Sequence, residues 1–104
     1  MEGNPGFRQA HFSLGRLLVD QQQYQEGIEQ LIRTLTPVDE DTPTYLYALG
    51  AAYGRAGDSA KGLQSLEQAK GVALERGQTA IVPEIEKALE SVRGGKASRL
   101  PATP

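Results

Sequence analysis

His11 is the only imidazole in the chain, which makes it the first place to look for proton transfer. Nucleophilic or general-base chemistry would need a hydroxyl or thiol beside it and a carboxylate to orient the ring. No serine, tyrosine or carboxylate has a sequence relation to His11 that suggests such a relay, and the chain contains no cysteine. The run Asp39-Glu40-Asp41 could attract a cation, but it lacks the turn glycine and distal glutamate of a calcium loop, so a solvated acidic loop ahead of a helix is expected. Gly54-Arg55-Ala56-Gly57 and Gly62 do not form a phosphate cradle. That loop requires lysine directly after its last glycine and then serine or threonine, whereas Lys61 precedes Gly62 and Leu63 follows it. The spacing Gly50-x-x-x-Gly54 is that of a membrane dimerisation face, yet Arg55 adjoins it without a long apolar run, so close helix packing explains it better. No catalytic residue, metal ligand or cofactor is expected.

Composition narrows the classes further. The 104 residues suffice for one small domain or a piece of a larger array. Eleven Lys and Arg against thirteen Asp and Glu give a net charge of −2, without the basic footprint that phosphate backbones demand, and Lys96 and Arg99 are too few for a nucleic-acid arm. Without cysteine there is neither a disulfide framework nor a thiolate metal site. Met1 to Phe7 has no basic region followed by an apolar run, and no stretch approaches the ~20 apolar residues of a membrane span. The expectation is a soluble chain with neither nucleic acid nor membrane as partner, and the cytoplasm is favoured over export.

The elements that would position any functional side chain are helices. Ala10, Leu14, Leu17 and Leu18 recur at helical spacing from Phe7 to Val19, followed by the polar connection 20–23. Tyr24, Ile28, Leu31, Ile32 and Leu35 form a second stripe that Pro37 stops. Thr42 as N-cap and Pro43 as first helical residue open a third helix to Ala56, with Leu46, Leu49 and Tyr53 on one face. Gly57 can take the left-handed conformation that ends it, and Asp58 can cap the next helix, Ser59 to Arg76, with Leu63, Leu66, Ala69, Ala73 and Leu74 inward and Gly77 as its stop. A fifth helix ends at Arg93 and carries Val82, Ile85, Leu89 and Val92; residues 96–104 read as a disordered tail.

The first two helices repeat in the next two. Leu14, Gly15, Leu18, Gly27, Ile28 and Leu31 align with Leu49, Gly50, Tyr53, Gly62, Leu63 and Leu66 at a constant offset of 35 residues. A helical hairpin repeating at about 34 residues with a Leu-Gly pair in its first helix resembles the tetratricopeptide family. His11-x-x-Leu14-Gly15-x-x-Leu18 and Leu46-x-x-Leu49-Gly50-x-x-Tyr53 carry one part of the motif; Gly27-x-x-x-Leu31 and Gly62-x-x-x-Leu66 carry the other. The chain departs from the pattern in having glycine where the second helix has alanine, no closing proline at the usual place, and Gln22 where the first turn would have glycine. His11 stands where the family has a large packing residue.

The resemblance implies an all-α stack of antiparallel helical hairpins with five helices. It divides the chain into an N-terminal cap or disordered stretch at 1–6, units at 7–41 and 42–77, a capping helix at 78–94 and a tail at 95–104. It also implies that Gln9, Phe12, Arg16 and Val19 of the first unit, and Thr44, Tyr47, Ala51 and Arg55 of the second, line a concave groove for a protein or peptide partner. The stripe has neither the lysines nor the asparagines that clamp a peptide carboxylate in some family members. The expected function is a non-catalytic protein-interaction module, part of a longer repeat protein. Because Ala10, Leu14 and Leu17 have no preceding helix to cover them, self-association as a homodimer is the alternative, with a small-ligand accessory domain a further one.

Overall fold

Among the described residues there are five α-helices joined by turns and no strand. The structure is a computed structural model describing residues 5–36 and 38–94. The helices are α1 (Pro5–Asp20), α2 (Tyr24–Ile32), α3 (Thr42–Arg55), α4 (Ser59–Glu75) and α5 (Val82–Arg93), with 3₁₀ turns at Arg33–Leu35 and Thr79–Ile81. The fold is all-α, as expected. Pro37 and the tail expected at 95–104 lie outside the described residues, as do residues 1–4; Pro5 and Gly6, expected in the disordered stretch, instead begin α1.

Three turns share one hydrogen-bonding scheme. Gln22, Gly57 and Gly77 have φ of 67°, 92° and 72°. The N–H of the following residue reaches back to the carbonyl five residues earlier, from Gln23 to Leu18 (2.8 Å), Asp58 to Tyr53 (2.9 Å) and Gln78 to Ala73 (2.7 Å). This is the Schellman closure, which satisfies carbonyls that a helix end leaves free. Asp58 then caps α4 by accepting from the Lys61 N–H at 3.2 Å. Thr42 does not cap α3: it is the first helical residue, and its hydroxyl accepts from the Asp39 N–H at 2.8 Å, which ties the loop rather than the helix.

Within each hairpin two glycines face each other. An added Cβ at Gly15 would lie 2.9 Å from the Gly27 carbonyl oxygen and 2.8 Å from Leu31 Cγ; one at Gly50 would lie 3.1 Å from the Gly62 carbonyl oxygen and 2.6 Å from Leu66 Cγ. The residues in contact are those that align at the 35-residue offset. Late α1 meets early α2, Val19 against Gly27, so the pair is antiparallel.

Two apolar clusters result. Val19, Ile28, Leu31, Leu49 and Ala52 join α1, α2 and α3; Leu46, Leu66, Ala69, Ala73, Ile85, Leu89 and Val92 join α3, α4 and α5. Lys70–Glu86 (3.0 Å) and Arg93–Glu67 (3.6 Å) fasten α5 to α4 at the surface.

Several expected core positions are solvent-facing. Leu14 is 43% exposed although its counterpart Leu49 is 4% exposed, and Leu17 and Ala10 are exposed with it, since α2 covers that face of α3 and no described element covers it on α1. Leu74 and Ile32 also point outward, and the half-buried Val72 fills the inward place expected for Leu74. The second stripe tightens into the 3₁₀ turn after Ile32, where the Thr34 carbonyl turns to the Arg8 guanidinium.

Candidate functional site

Between α1 and α3 lies a groove of about 290 Å³. Buried Val19, Leu31 and Ala52 with half-buried Ala48 form its floor, Phe12, Tyr47 and Ala51 its flanks, and exposed Arg16, Asp20, Thr44 and Arg55 its rim. Of the eight residues expected to line it, all but Gln9 do. Gln9 lines an adjoining hollow that shares Phe12 and Thr44 and adds Ser13, Asp41 and Tyr45. Three- and four-residue steps along two neighbouring helices suffice to gather these side chains.

The rim cations differ in their surroundings. The Arg16 guanidinium stands 5.5 Å from the Phe12 ring centroid, within cation–π range, and no carboxylate pairs with it among the described residues. Arg55 Nη1 donates to Asp20 Oδ1 at 3.0 Å, an exposed pair that ties the end of α1 to the end of α3. Asp20 was not expected at the site, although it stands at the 35-residue offset from Arg55 and one helical turn after Arg16.

Beyond the Phe12 end of the groove sits a largely buried polar assembly. Arg8 is 8% exposed; its guanidinium donates to Asp39 Oδ2 at 2.7 Å and to the Thr34 carbonyl at 2.9 and 3.3 Å, and lies 4.9 Å from the Tyr45 ring centroid. Tyr45 in turn meets Phe12 with ring centroids 5.0 Å apart in a tilted arrangement, so the groove's aromatic flank rests on this assembly. The hydrogen bond from Arg8 holds the Asp39 carboxyl below its usual range and, reciprocally, raises the Arg8 pKa, while burial pushes the Tyr45 phenol up. The acidic loop is therefore not simply solvated, because Asp39 is half-buried and anchors it to α1. Arg8 had one sequence signal, its place on the helical face shared with Gly15 and Val19.

His11 is half-buried, with Nδ1 2.7 Å from Gln30 Oε1 across the α1–α2 contact, a packing role. Among the described residues no group of three or more His, Asp or Glu is placed to hold a metal ion. No described helix is long and apolar enough to cross a membrane.

No family model, curated protein or solved structure matches the chain. The chemistry available at the groove is therefore read from its lining alone. An apolar floor, two aromatic faces and the Arg16 guanidinium, unpaired with any carboxylate among the described residues, complement an apolar side chain with an acidic group beside it. A second hollow of about 390 Å³, between the 3₁₀ turn after α2 and α4, is lined by Leu35, Val38, Leu46 and Val72 with Gln68 and Glu75; it offers apolar surface without a cation.

Proposed function

We propose that the chain is a non-catalytic, tetratricopeptide-like protein-interaction module whose α1–α3 groove takes a peptide segment carrying an apolar anchor and a neighbouring carboxylate. The observation that carries this reading is the convergence of Phe12, Arg16, Tyr47 and Arg55 around an apolar floor. The assignment to a repeat of hairpins draws support from contacts that recur 35 residues apart: Gly15 with Gly27 and Leu31, Gly50 with Gly62 and Leu66, and the left-handed turns at Gln22 and Gly57. The groove's volume stands at the lower edge of the ~300–1,000 Å³ typical of small-molecule pockets, which favours a side-chain anchor over a whole small ligand.

Arg16 and Tyr47 are the discriminating positions. A displayed random-peptide library panned on the chain should enrich sequences with a large apolar residue next to Asp or Glu. A charge-assisted hydrogen bond is worth ~1.5–3 kcal/mol, so Arg16→Ala should weaken an enriched peptide roughly 10- to 100-fold in fluorescence anisotropy, with the helical circular dichroism unchanged. Asp20→Asn, which releases Arg55 from its pair, should tighten the same peptide. If panning enriches nothing over the Arg16→Ala, Tyr47→Ala double variant, the groove is not a peptide site.

A further inference from the structure

We infer that the hollow beside the groove binds a basic side chain of the same peptide, so that the α1–α3 surface receives a basic, an apolar and an acidic residue in that spatial order; this rests on the peptide reading and adds a second charge to it. The hollow measures about 300 Å³ against the groove's 290 Å³, and Phe12 and Thr44 line both. They are neighbouring compartments of one surface with the Phe12 ring as a shared wall. Arg16 lines only the groove, and Asp41 lines only the hollow.

The charges select the occupant. Asp41 is exposed, and although it precedes α3 its carboxylate accepts no hydrogen bond from the first turn of that helix. The Arg8 guanidinium, held by Asp39 and the Thr34 carbonyl, offsets Asp39 and leaves the charge of Asp41 in surplus. Among the described residues no cation pairs with Asp41. An ionised carboxylate offers acceptors alone, and the Gln9 amide and Thr44 hydroxyl add further acceptor oxygens, so the hollow suits a cation rich in donors. Lys or Arg also brings an aliphatic stem, for which the Phe12 and Tyr45 rings are the matching surface.

The helices set the spacing. Phe12 meets Tyr45 and Asp20 meets Arg55, so α1 and α3 run in the same direction, and the hollow lies at their N-terminal ends. From Gln9 to Arg16 the α1 backbone rises about 10 Å at ~1.5 Å per residue, which an extended peptide covers in about three residues at ~3.3 Å each. The basic and acidic residues of the peptide therefore stand about three apart, with the apolar anchor between them.

A random-peptide library panned on the full chain should enrich Lys or Arg on the far side of the apolar residue from the acidic one. Panning on Asp41→Lys should replace that basic preference with Asp or Glu and keep the apolar–acidic pair. For one enriched peptide, Asp41→Asn should weaken binding roughly two- to fivefold, the scale of an exposed ion pair, with helicity unchanged. The same substitution should leave the affinity unaltered for a peptide whose basic residue has been replaced by Gln. Apolar–acidic pairs enriched without a basic preference, or equal weakening of both peptides by Asp41→Asn, would overturn this inference and leave the groove reading standing; no enrichment of any kind would overturn both.

Discussion

Alanine for glycine in a helix interior ordinarily stabilises, and in α2 it should do the reverse. An added Cβ at Gly27 would lie 2.7 Å from Val19 Cγ2, 2.8 Å from the Gly15 carbonyl oxygen and 3.0 Å from the Val19 nitrogen, against about 3.4 Å for ordinary contact. Val19 can rotate a methyl group, but the Gly15 oxygen belongs to the α1 backbone, so the two helices would have to separate by about 0.6 Å at that level. Val19, Ile28 and Leu31 pack across the same gap and would loosen with it. Overpacking of this kind costs ~1–3 kcal/mol, and the helix-propensity gain of ~1 kcal/mol offsets part of it, leaving a net loss of up to ~2 kcal/mol, toward the upper end here because backbone blocks the way. Gly71 is the internal control: it lies in the interior of α4, is exposed, and an added Cβ there would meet nothing within 4 Å. Gly71→Ala should therefore stabilise by ~1 kcal/mol. For a domain of this size each kilocalorie moves the thermal midpoint by roughly 4–8 °C, so the two variants should move it in opposite directions in melts followed at 222 nm. Gly62→Ala, whose nearest neighbour would be the Gly50 oxygen at 3.1 Å, should fall between them. If Gly27→Ala raises the midpoint as Gly71→Ala does, the helices of the first hairpin do not approach as described.

Further consequences can be checked in the same way. Leu49→Ala should cost ~2–5 kcal/mol in urea unfolding and Leu14→Ala less than about 1 kcal/mol, although the two stand at equivalent places; equal costs would contradict the burial difference. Gln22→Gly should raise the midpoint by several degrees, since a left-handed non-glycine residue costs ~1–2 kcal/mol against glycine's smaller entropic penalty, and a lowered midpoint would refute the turn geometry. Asp39 has a folded pKa below its unfolded value, so its pairing with Arg8 stabilises the fold above about pH 4 and that contribution is lost as pH falls further through the lowered folded pKa. Arg8→Met should cost ~1–3 kcal/mol at neutral pH, by leaving the Thr34 carbonyl and Asp39 without their donor, and should flatten the acid side of the stability profile; a profile parallel to the parent's would exclude the pair.

Features set by neighbours in sequence were legible before the structure. Gly57, Gly77 and Asp58 act within one turn of their own position, and each does what its residue type suggests. The inward leucines of α3 and α5 follow from helical periodicity alone. What failed depends on distant partners. Thr42 has the chemistry of an N-cap, yet the Asp39 N–H takes its hydroxyl. Leu14 and Leu49 share a local pattern, and only the presence of α2 beside α3 separates their burial. Helical periodicity puts Arg8 on the face of Gly15 and Val19, but no local rule supplies its acceptors, Thr34 and Asp39, which lie 26 and 31 residues away. Most of the groove's lining was reached through a family resemblance rather than through periodicity, and its floor of Leu31, Ala48 and Ala52 and its rim acid Asp20 were not foreseen.

The groove exists because close approach is concentrated elsewhere. In each hairpin facing glycines draw the helices together, α1 onto α2 and α3 onto α4, while α1 and α3 have no such pair and keep large side chains between them. Phe12 and Tyr45 hold that gap open at one end, resting on the fixed Arg8 guanidinium; Arg55 and Asp20 bridge it at the other. Between the two struts α3 presents Ala48, Ala51 and Ala52 with Tyr47 at the flank, so the volume left vacant over the alanines is fixed by two contacts with different sensitivities. The aromatic strut, half-buried Phe12 on buried Tyr45, is little affected by salt, whereas the ion pair is exposed and weakens as salt is raised. Raising ionic strength should therefore loosen the Arg55 end first and free its guanidinium, so the groove's capacity for a second acidic group is coupled to the surface pair and not to the core.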